Sequence, residues 1–390
     1  MKILFVGSER LQVPWVVFSL HRMGHEVEMY SKPNSELEDN EEQGQLLEDY
    51  LKKERVDFVL STGFTKAIAE ITNRLEIKYA VWCMDSPAYT TWVPETKYDN
   101  CFLFYFDYRE CERKRLSGCS NVYHLPLASD IVWNGQLVVT DEEIKKYGCN
   151  MSFVGGLYTH NKYGQMAELL SAELQEALTD IIERSAFVWD GQDRLQMPPE
   201  LVQTIRREHP EIFDYPGNMS DEYFFRTYFM GRKLTQIERT LLMELLSQQY
   251  DIHLYTRDTE QVPDGVRRFP VVPGLSEAPK VYYSSKINLN ITLRSIASGV
   301  PLRIFDVMSV GGFVLSNWQE EIPELFVEDK EIVTYKTPEE LIEKADYYLK
   351  HEDKRVRIGV NGYRKVKERH TYEHRLEKII SILFPRPKYI

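Results

Sequence analysis

The stretch from Lys286 to Asn317, KINLNITLRSIASGVPLRIFDVMSVGGFVLSN, decides the fold. Apolar and polar residues alternate from Ile287 to Arg294, which predicts a β-strand. A break at Ser298–Pro301 precedes a helical pattern, and proline suits the first turn of a helix because no intrahelical N–H is needed there. Gly311 and Gly312 end this predicted helix, and an apolar run begins a second strand. The order strand, loop, helix, strand predicts an α/β unit.

The loop of this unit is a candidate anion site. It directs backbone N–H groups and a helix N-terminus toward one edge of the predicted sheet, which favours negative charge. Arg294 and Arg303 flank the loop, Gly299 lies within it, and two guanidinium groups there suit a diphosphate. Spacing alone leaves two alternatives open: Arg303 is an ordinary surface arginine, and Arg294 pairs with an acidic side chain.

Composition narrows the class of protein. The chain has 390 residues, of which 43% are hydrophobic and 28% charged, so it is globular and large enough for two domains. Its formal net charge of −12 argues against a nucleic-acid partner, because affinity for phosphate backbones depends on excess Lys and Arg. Any anionic ligand must therefore be held by a local basic cluster.

Cysteine usage and hydropathy indicate a cytoplasmic protein. The five cysteines are odd in number, and their spacings match no Cys-x-x-Cys metal pattern. No apolar run approaches the ~20 residues that span a bilayer, so we expect no transmembrane segment. The chain opens directly on a predicted strand, and we expect no signal peptide. The cysteines are predicted to be reduced thiols: Cys83, Cys101, Cys111, Cys119 and Cys149.

The N-terminal half alternates short apolar runs with helical patterns, which predicts a doubly wound parallel sheet. Ligands of such sheets bind beyond the carboxyl ends of the strands. Gly7, Ser8 and Gly63 follow predicted strand ends and are candidate ligand contacts. The first domain is placed at 1–135. Its predicted strands lie at 3–6, 26–30, 58–60, 79–82, 101–106 and 122–126.

A second α/β domain is predicted at 148–370, after a linker at 128–147. Its first strand is Met151–Val154, and a helical insertion interrupts it at about 165–230. The α/β pattern resumes at Gly231, where Arg232 and Lys233 follow a possible strand end and are weaker cationic candidates.

Several segments together carry a resemblance to a known family. SFVGG at 152–156, SKINLNIT at 285–292, GVPLRIFDVMSVGGFVLSN at 299–317 and ERHTYEHRLEKI at 368–379 resemble the second domain of GT-B glycosyltransferases. They are most similar to the spore-maturation (CgeB-like) glycosyltransferases. YAVWCMDSP at 79–87 and YHLPLASD at 123–130 resemble the N-terminal domain that heads that group.

The resemblance implies a fold, an activity and a set of partners. The fold would be α/β of the GT-B type, two Rossmann-like domains facing across a cleft, with residues 371–390 crossing back to complete the first. The activity would be transfer of a sugar from a nucleoside-diphosphate donor, with UDP-sugar favoured. The acceptor hydroxyl would belong to a glycan or a protein. Two alternatives remain open: a nucleotide-sugar epimerase and a non-catalytic nucleotide-sugar-binding protein.

Site residues follow from the same resemblance. Related enzymes carry two acids eight positions apart, which fall here on Ser298 and Asp306. Ser298 is not an acid, so the sugar-contacting role does not carry over. Asp306 is the candidate for the ribose hydroxyls, because a carboxylate accepts two hydroxyl hydrogen bonds, with a solvated helix acid as the alternative. The predicted donor-binding set is Gly156, Tyr255, Val272, Gly274, Asn290, Ser298, Gly299 and Asp306.

The chemistry requires stabilisation of a departing nucleoside diphosphate. Cations that act more strongly on the transition state than on the ground state accelerate the reaction, and Arg294 and Arg303 are the first candidates. No Asp-x-Asp motif occurs, so no obligatory divalent ion is expected. The base of the nucleotide is placed beside Tyr255 and the Val272–Gly274 loop, although a strand tyrosine is also an ordinary core residue.

Asp85 is the candidate general base for an acceptor hydroxyl. It follows a predicted strand end and precedes Ser86 and Pro87, so an Asx turn is the alternative. With Asp85 as the base the reaction would invert the anomeric centre. A retaining enzyme would instead use the departing phosphate, and the sequence leaves both open.

Overall fold

The computed structural model describes residues 1–7, 13–30, 40–191, 195–215 and 217–385. The chain divides into two compact units. Unit 1 contains Met1–Asp130 and the segment that begins at Arg369, together with Gly217 and Asn218. Unit 2 contains the rest of the described chain between Ile131 and Glu368.

Unit 1 is built on a six-stranded parallel sheet with strand order β2-β1-β3-β4-β5-β6. The apolar runs make buried strands because helices cover both faces of a parallel sheet. Phe58–Ser61 is buried along its whole length. The strands are β1 (Lys2–Val6), β2 (Glu26–Tyr30), β3 (Phe58–Ser61), β4 (Lys78–Cys83), β5 (Cys101–Tyr105) and β6 (Val122–His124).

Unit 2 contains a second parallel sheet of six strands, in the order β12-β11-β10-β7-β8-β9. The direction of winding reverses where β7 pairs with β10, through Met151 with Ile287 and Ser152 with Asn288. Open α/β sheets bind ligands at this switch point, beyond the carboxyl ends of the strands. The strands are β7 (Met151–Val154), β8 (Ile252–Tyr255), β9 (Arg267–Phe269), β10 (Ile287–Asn290), β11 (Val314–Asn317) and β12 (Val333–Tyr335).

Helices alternate with the strands in both units, and none of those described is long and apolar enough to cross a membrane. In chain order they are α1 (Val13–Arg22), α2 (Glu41–Glu54), α3 (Lys66–Arg74), α4 (Tyr108–Leu116), α5 (Ile131–Asn134), α6 (Asp141–Tyr147), α7 (Tyr163–Ala167), α8 (Ala172–Ser185), α9 (Pro199–Glu208), α10 (Asp221–Phe225), α11 (Gly231–Ser247), α12 (Ala278–Ser284), α13 (Leu302–Ser309), α14 (Ile322–Leu325), α15 (Pro338–Lys350), α16 (Glu352–Arg369) and α17 (Tyr372–Leu383). Short 3₁₀ turns lie at Tyr89–Thr91, Pro94–Lys97 and Pro210–Phe213.

The last helix, α17, belongs to unit 1. Ser129 forms a β-bridge with Thr371 at its start. Arg22 of α1 donates to Asp130 at 2.7 Å and to Glu373 at 2.5 Å. The ring of Tyr372 packs edge-on against Trp82 of β4, with 5.7 Å between ring centroids. The final helix therefore completes the hydrophobic core around the central strands of unit 1.

The two parallel six-stranded sheets confirm the α/β prediction, and one local prediction, the strand end before Arg232 and Lys233, is wrong. The linker at 128–147 contains α5 and α6, and Thr140 with Glu143 forms a capping box at the start of α6. No strand end precedes Arg232 and Lys233. The chain is helical from Asp221 to Ser247, passing from α10 through a π-helical turn at Arg226–Met230 into α11.

Candidate functional site

Arg303 occupies the switch point of the unit 2 sheet. It lies in the first turn of α13, where Pro301 is the N-cap and makes no side-chain cap bond. Its Nε donates to the carbonyl of Val154 at 2.8 Å, and its Nη1 donates to Oδ1 of Asn290 at 2.7 Å. These acceptors end β7 and β10, so the guanidinium group bridges the carboxyl ends of both strands.

Arg239 is a second arginine at the same place, and the sequence analysis missed it. It projects from α11 and is only 4% exposed. Its Nη1 donates to the carbonyl of Gly156 at 2.6 Å, and its Nε donates to the carbonyl of Ile291 at 3.0 Å. Arg239 lies inside an amphipathic helix far from any motif in the sequence. Only the tertiary fold brings it to the strand ends.

The two arginines form a pair without a carboxylate. Their Cζ atoms lie 4.3 Å (Arg303) and 5.0 Å (Arg239) from the ring centroid of Phe153. Within the described chain, neither guanidinium makes a salt bridge, and the acceptors are neutral oxygens. Burial lowers the pKa of Arg303, and burial together with Arg303 lowers the pKa of Arg239 to about 9. Arginine side chains keep their charge in proteins, so this pair favours a bound anion.

Gly155 is required for this arrangement. A Cβ atom at position 155 would overlap the Arg303 guanidinium and crowd the Phe153 ring. The absence of a side chain therefore lets Arg303 reach the end of β7. Gly156, a predicted donor contact, supplies its carbonyl to Arg239. The glycines that end the SFVGG segment thus shape the arginine pair through their backbone.

Arg294, a predicted diphosphate ligand, is used elsewhere. Strand β10 ends at Asn290, and the Arg294 side chain reaches Glu238, which is completely buried. Its Nε lies 3.0 and 2.9 Å from the two carboxylate oxygens, and its Nη2 donates to the carbonyl of Val188 at 2.8 Å. The predicted diphosphate role is therefore corrected to a structural ion pair, because the guanidinium neutralises a buried carboxylate.

Ser298 and Asp306 lie on either side of the start of α13. Ser298 is fully buried and donates to Oε1 of Glu321 at 2.6 Å. Asp306 is half-buried, three residues after Arg303 on the same helix. Burial, with the Asp306 charge added, raises the pKa of Tyr282. Gly299 is buried in the loop before α13.

Asn290 positions Arg303 and has little capacity left for other partners. Its Oδ1 accepts the bond from Arg303, and its Nδ2 donates to Thr292 Oγ1 at 3.0 Å and to Ser316 Oγ at 2.9 Å. The residue is buried at the end of β10. Asn290 therefore contributes to the site by orienting the arginine.

The region predicted to hold the nucleotide base is largely a hydrophobic core. The ring of Tyr255 stacks on Phe269, with 5.0 Å between centroids and 20° between the planes. Tyr255 is buried with Tyr147, and Val272 packs on this cluster. The core alternative for Tyr255 is therefore the one that the packing supports. Gly274 is half-buried in the loop after β9.

Asp85 belongs to unit 1 and follows the end of β4. Its side chain is exposed. The next peptide bond, Ser86–Pro87, is cis, and Ser86 Oγ donates to Oδ2 of Asp107 at 2.9 Å. Gly7 follows β1 and Gly63 follows β3, the two strands between which this sheet reverses its winding. Ser8 lies outside the described residues.

A search of the described residues for metal ligands finds no suitable group of three His, Cys, Asp or Glu side chains. The five cysteines are buried and form no disulfide bond. Burial raises the pKa of the Cys149 thiol to about 11.

Comparisons with known proteins identify the fold. Residues 232–381 match a family model described as glycosyl transferase-like, and this segment contains both Arg239 and Arg303. The structure is similar to Anabaena HepE in complex with UDP-glucose, with a TM-score of 0.54 at 12% identity over 98% of this chain and 99% of that chain. The fold is that of the GT-B glycosyltransferases.

Two further structures share the GT-B fold with this chain. Sucrose-phosphate synthase from Thermosynechococcus elongatus gives a TM-score of 0.53 at 10% identity, over 97% of each chain. A glycosyltransferase from Rickettsia africae gives a TM-score of 0.52 at 11% identity, over 99% of each chain. A search of curated protein sequences gave no match.

Proposed function

We propose that this protein is a glycosyltransferase that moves a sugar from a nucleoside-diphosphate donor to an acceptor hydroxyl. The observation that carries this proposal is the pair formed by Arg239 and Arg303. Two adjacent guanidinium groups lie at the switch point of the unit 2 sheet, and the acceptors that hold them among the described residues are neutral oxygens. A diphosphate supplies the negative charge that this pair lacks.

The arginine pair also suits the chemistry of the leaving group. Negative charge grows on the nucleoside diphosphate as the glycosidic bond breaks, and fixed cations stabilise that charge in the transition state. The N-terminal backbone of α13 adds its dipole beside Arg303. Asp306, on the same helix, is our candidate for the ribose hydroxyls, since its carboxylate accepts two hydrogen bonds.

The donor, the acceptor and the location are assigned from separate observations. UDP-sugar is the favoured donor, because HepE, a protein of similar fold, was solved with UDP-glucose. The CgeB-like resemblance suggests an acceptor hydroxyl on a protein or a surface glycan. We expect no obligatory divalent ion, because the sequence lacks an Asp-x-Asp motif. Five buried thiols support a cytoplasmic location.

Calorimetric titration of UDP tests the diphosphate assignment. Arg303→Ala removes a charge-assisted interaction worth ~1.5–3 kcal/mol, so we expect UDP affinity to fall about tenfold or more. Arg267→Ala is the matched control, because Arg267 is an exposed arginine of unit 2 that pairs with Asp251. Unchanged UDP affinity in a folded Arg303→Ala protein would contradict the proposal.

Incubation with UDP-sugars separates the proposed function from its alternatives. Formation of free UDP, faster with an acceptor than without, supports transfer. A changed sugar on intact nucleotide indicates an epimerase. Binding without any chemical change indicates a non-catalytic nucleotide-sugar-binding protein.

A further inference from the structure

Tyr158 has an unusual backbone conformation in the loop that follows β7. Its φ angle is +65°, in the left-handed region that residues with a side chain rarely adopt. Such conformations persist only where the surrounding structure enforces them, and they concentrate at ligand sites. The loop begins at Gly155 and Gly156, beside the arginine pair.

Asp258 holds the residues on both sides of Tyr158. One carboxylate oxygen accepts from the backbone N–H of Leu157 at 2.5 Å, and the other accepts from Thr159 Oγ1 at 3.0 Å. Asp258 is 8% exposed and is itself fixed by Thr256 Oγ1 at 2.8 Å. The carboxylate therefore clamps the loop at two points and fixes the backbone of the tyrosine between them.

The clamped loop holds Tyr158 against the arginine pair. The Cζ atom of Arg239 lies 5.2 Å from the centroid of the Tyr158 ring. The tyrosine is half-exposed, and its hydroxyl makes no hydrogen bond to the residues that the structure describes. A hydrogen-bond donor thus lies beside the arginine pair, whose positive charge favours a bound anion.

We propose that Tyr158 is a third ligand of the diphosphate, and that its phenol O–H donates a hydrogen bond to a diphosphate oxygen. This inference rests on the proposed function, because it assigns a further residue to the same site. The arginines supply charge, and the phenol supplies direction, since its O–H donates along a single bond. Asp258 is a positioning residue that acts through the loop backbone.

Titration of UDP and inorganic pyrophosphate into the full chain tests this assignment. Tyr158→Phe removes only the hydroxyl. Because this loses a hydrogen bond to a charged group, we expect the affinity for both ligands to fall by about tenfold. The melting temperature without ligand is expected to stay unchanged. Tyr283→Phe is the control, because that ring is 55% exposed and lies on α12.

Asp258→Asn tests the clamp separately. This variant should weaken UDP binding by a similar factor. In the double variant with Tyr158→Phe, the fold loss of UDP affinity should be much smaller than the product of the two single losses. Such non-additivity is expected of residues that act through one contact. A purely structural role for Asp258 would instead leave the two losses of UDP affinity independent.

The outcomes distinguish this inference from the proposed function. If the wild-type protein binds UDP or pyrophosphate and Tyr158→Phe binds it equally well, the assignment of Tyr158 is overturned while the arginine site stands. If the wild-type protein binds neither ligand, the proposed function and this inference both fall.

Discussion

Arg303 donates a hydrogen bond of 2.7 Å to Oδ1 of Asn290, and this contact ties the first turn of α13 to the end of β10. The acceptor is a neutral amide. The arginine is therefore oriented without being neutralised, and its charge remains available to a ligand. A carboxylate at the same position would hold the arginine equally well and cancel its charge.

The variant Asn290→Asp tests this separation of orientation from charge. We expect the protein to stay folded, because the aspartate is isosteric, and we expect UDP affinity to fall about tenfold or more from the loss of a charge-assisted interaction. Calorimetry measures the change. Asn361→Asp, a substitution in unit 2 at a half-buried asparagine that donates to the carbonyl of Lys330, serves as the control for an added negative charge. Equal or tighter UDP binding by Asn290→Asp would refute a charge-based role for Arg303.

The ion pair between Arg294 and Glu238 is predicted to matter for stability. Arg294→Ala leaves the buried Glu238 carboxylate uncompensated, which costs about 3–5 kcal/mol of the free energy of unfolding. Denaturant titration measures this loss. The double variant Arg294→Met/Glu238→Leu should recover much of it, because no charge then remains buried. A single Arg294→Ala variant of unchanged stability that fails to bind UDP would restore the diphosphate role to this residue.

Asp258 gives a prediction of pH dependence. Burial alone would raise the pKa of Asp258, but hydrogen bonds from Leu157, Thr256 and Thr159 outweigh that effect and lower it. A carboxylate whose pKa is lowered on folding adds stability above its unfolded pKa of about 3.9, and this stability is lost as the pH falls toward the folded value. The stability difference between wild type and Asp258→Asn should thus be constant from pH 8 to 5, as rough limits, and shrink below about pH 4.

Equilibrium unfolding of both proteins across this pH range tests the sign. A difference that grows in acid would show that Asp258 is protonated in the folded protein. In that case the carboxylate would not be the acceptor that clamps the loop.

The contact between Tyr372 and Trp82 predicts that unit 1 depends on the last helix. Tyr372→Ala removes a buried ring from the core around β4, and large-to-small changes of this kind cost about 3–5 kcal/mol. Lys378→Ala, an exposed change on the same helix, should have little effect. Thermal unfolding followed by circular dichroism measures both changes. A Tyr372→Ala protein as stable as wild type would show that α17 is dispensable.

Asp85 is predicted to affect turnover and not donor binding. Asp85→Asn removes the base while keeping size and shape, and general-base catalysis typically contributes about 10²–10⁴-fold to the rate. The rate of UDP release with acceptor should fall, and UDP affinity should hold. Asp49→Asn, an exposed change on α2, is the control. Normal turnover by Asp85→Asn would remove the base role and favour a retaining mechanism.

The sequence predicts the strands well because their signal is local. Buried parallel strands are continuous apolar runs, and the runs predicted at 58–60 and 79–82 lie within β3 and β4. Strand β10 is shorter than the alternation of apolar and polar residues from Ile287 to Arg294 predicts, since its pairing with β11 extends only from Asn288 to Asn290. The polar residues after Asn290, such as Arg294, form hydrogen bonds with distant parts of the chain instead.

The site was harder to predict because long-range contacts assemble it. Arg303 follows from a loop and helix pattern within one unit, whereas Arg239 comes from a helix with no motif. Arg294 lies near the expected place in sequence, but its side chain forms an ion pair with a buried acid 56 positions away. The stacking of Tyr255 on Phe269 likewise depends on a strand pairing that spacing does not show.

Unit 1 is discontinuous, because its last helix is encoded at the far end of the chain. A ribosome must add about 240 residues after Asp130 before α17 is made, which takes tens of seconds at the usual rate of synthesis. During that interval the face of Trp82 that packs against Tyr372 lacks this partner. The unit translated first is therefore the last to finish folding, and a nascent chain stalled before Arg369 would display an incomplete amino-terminal core to chaperones and proteases.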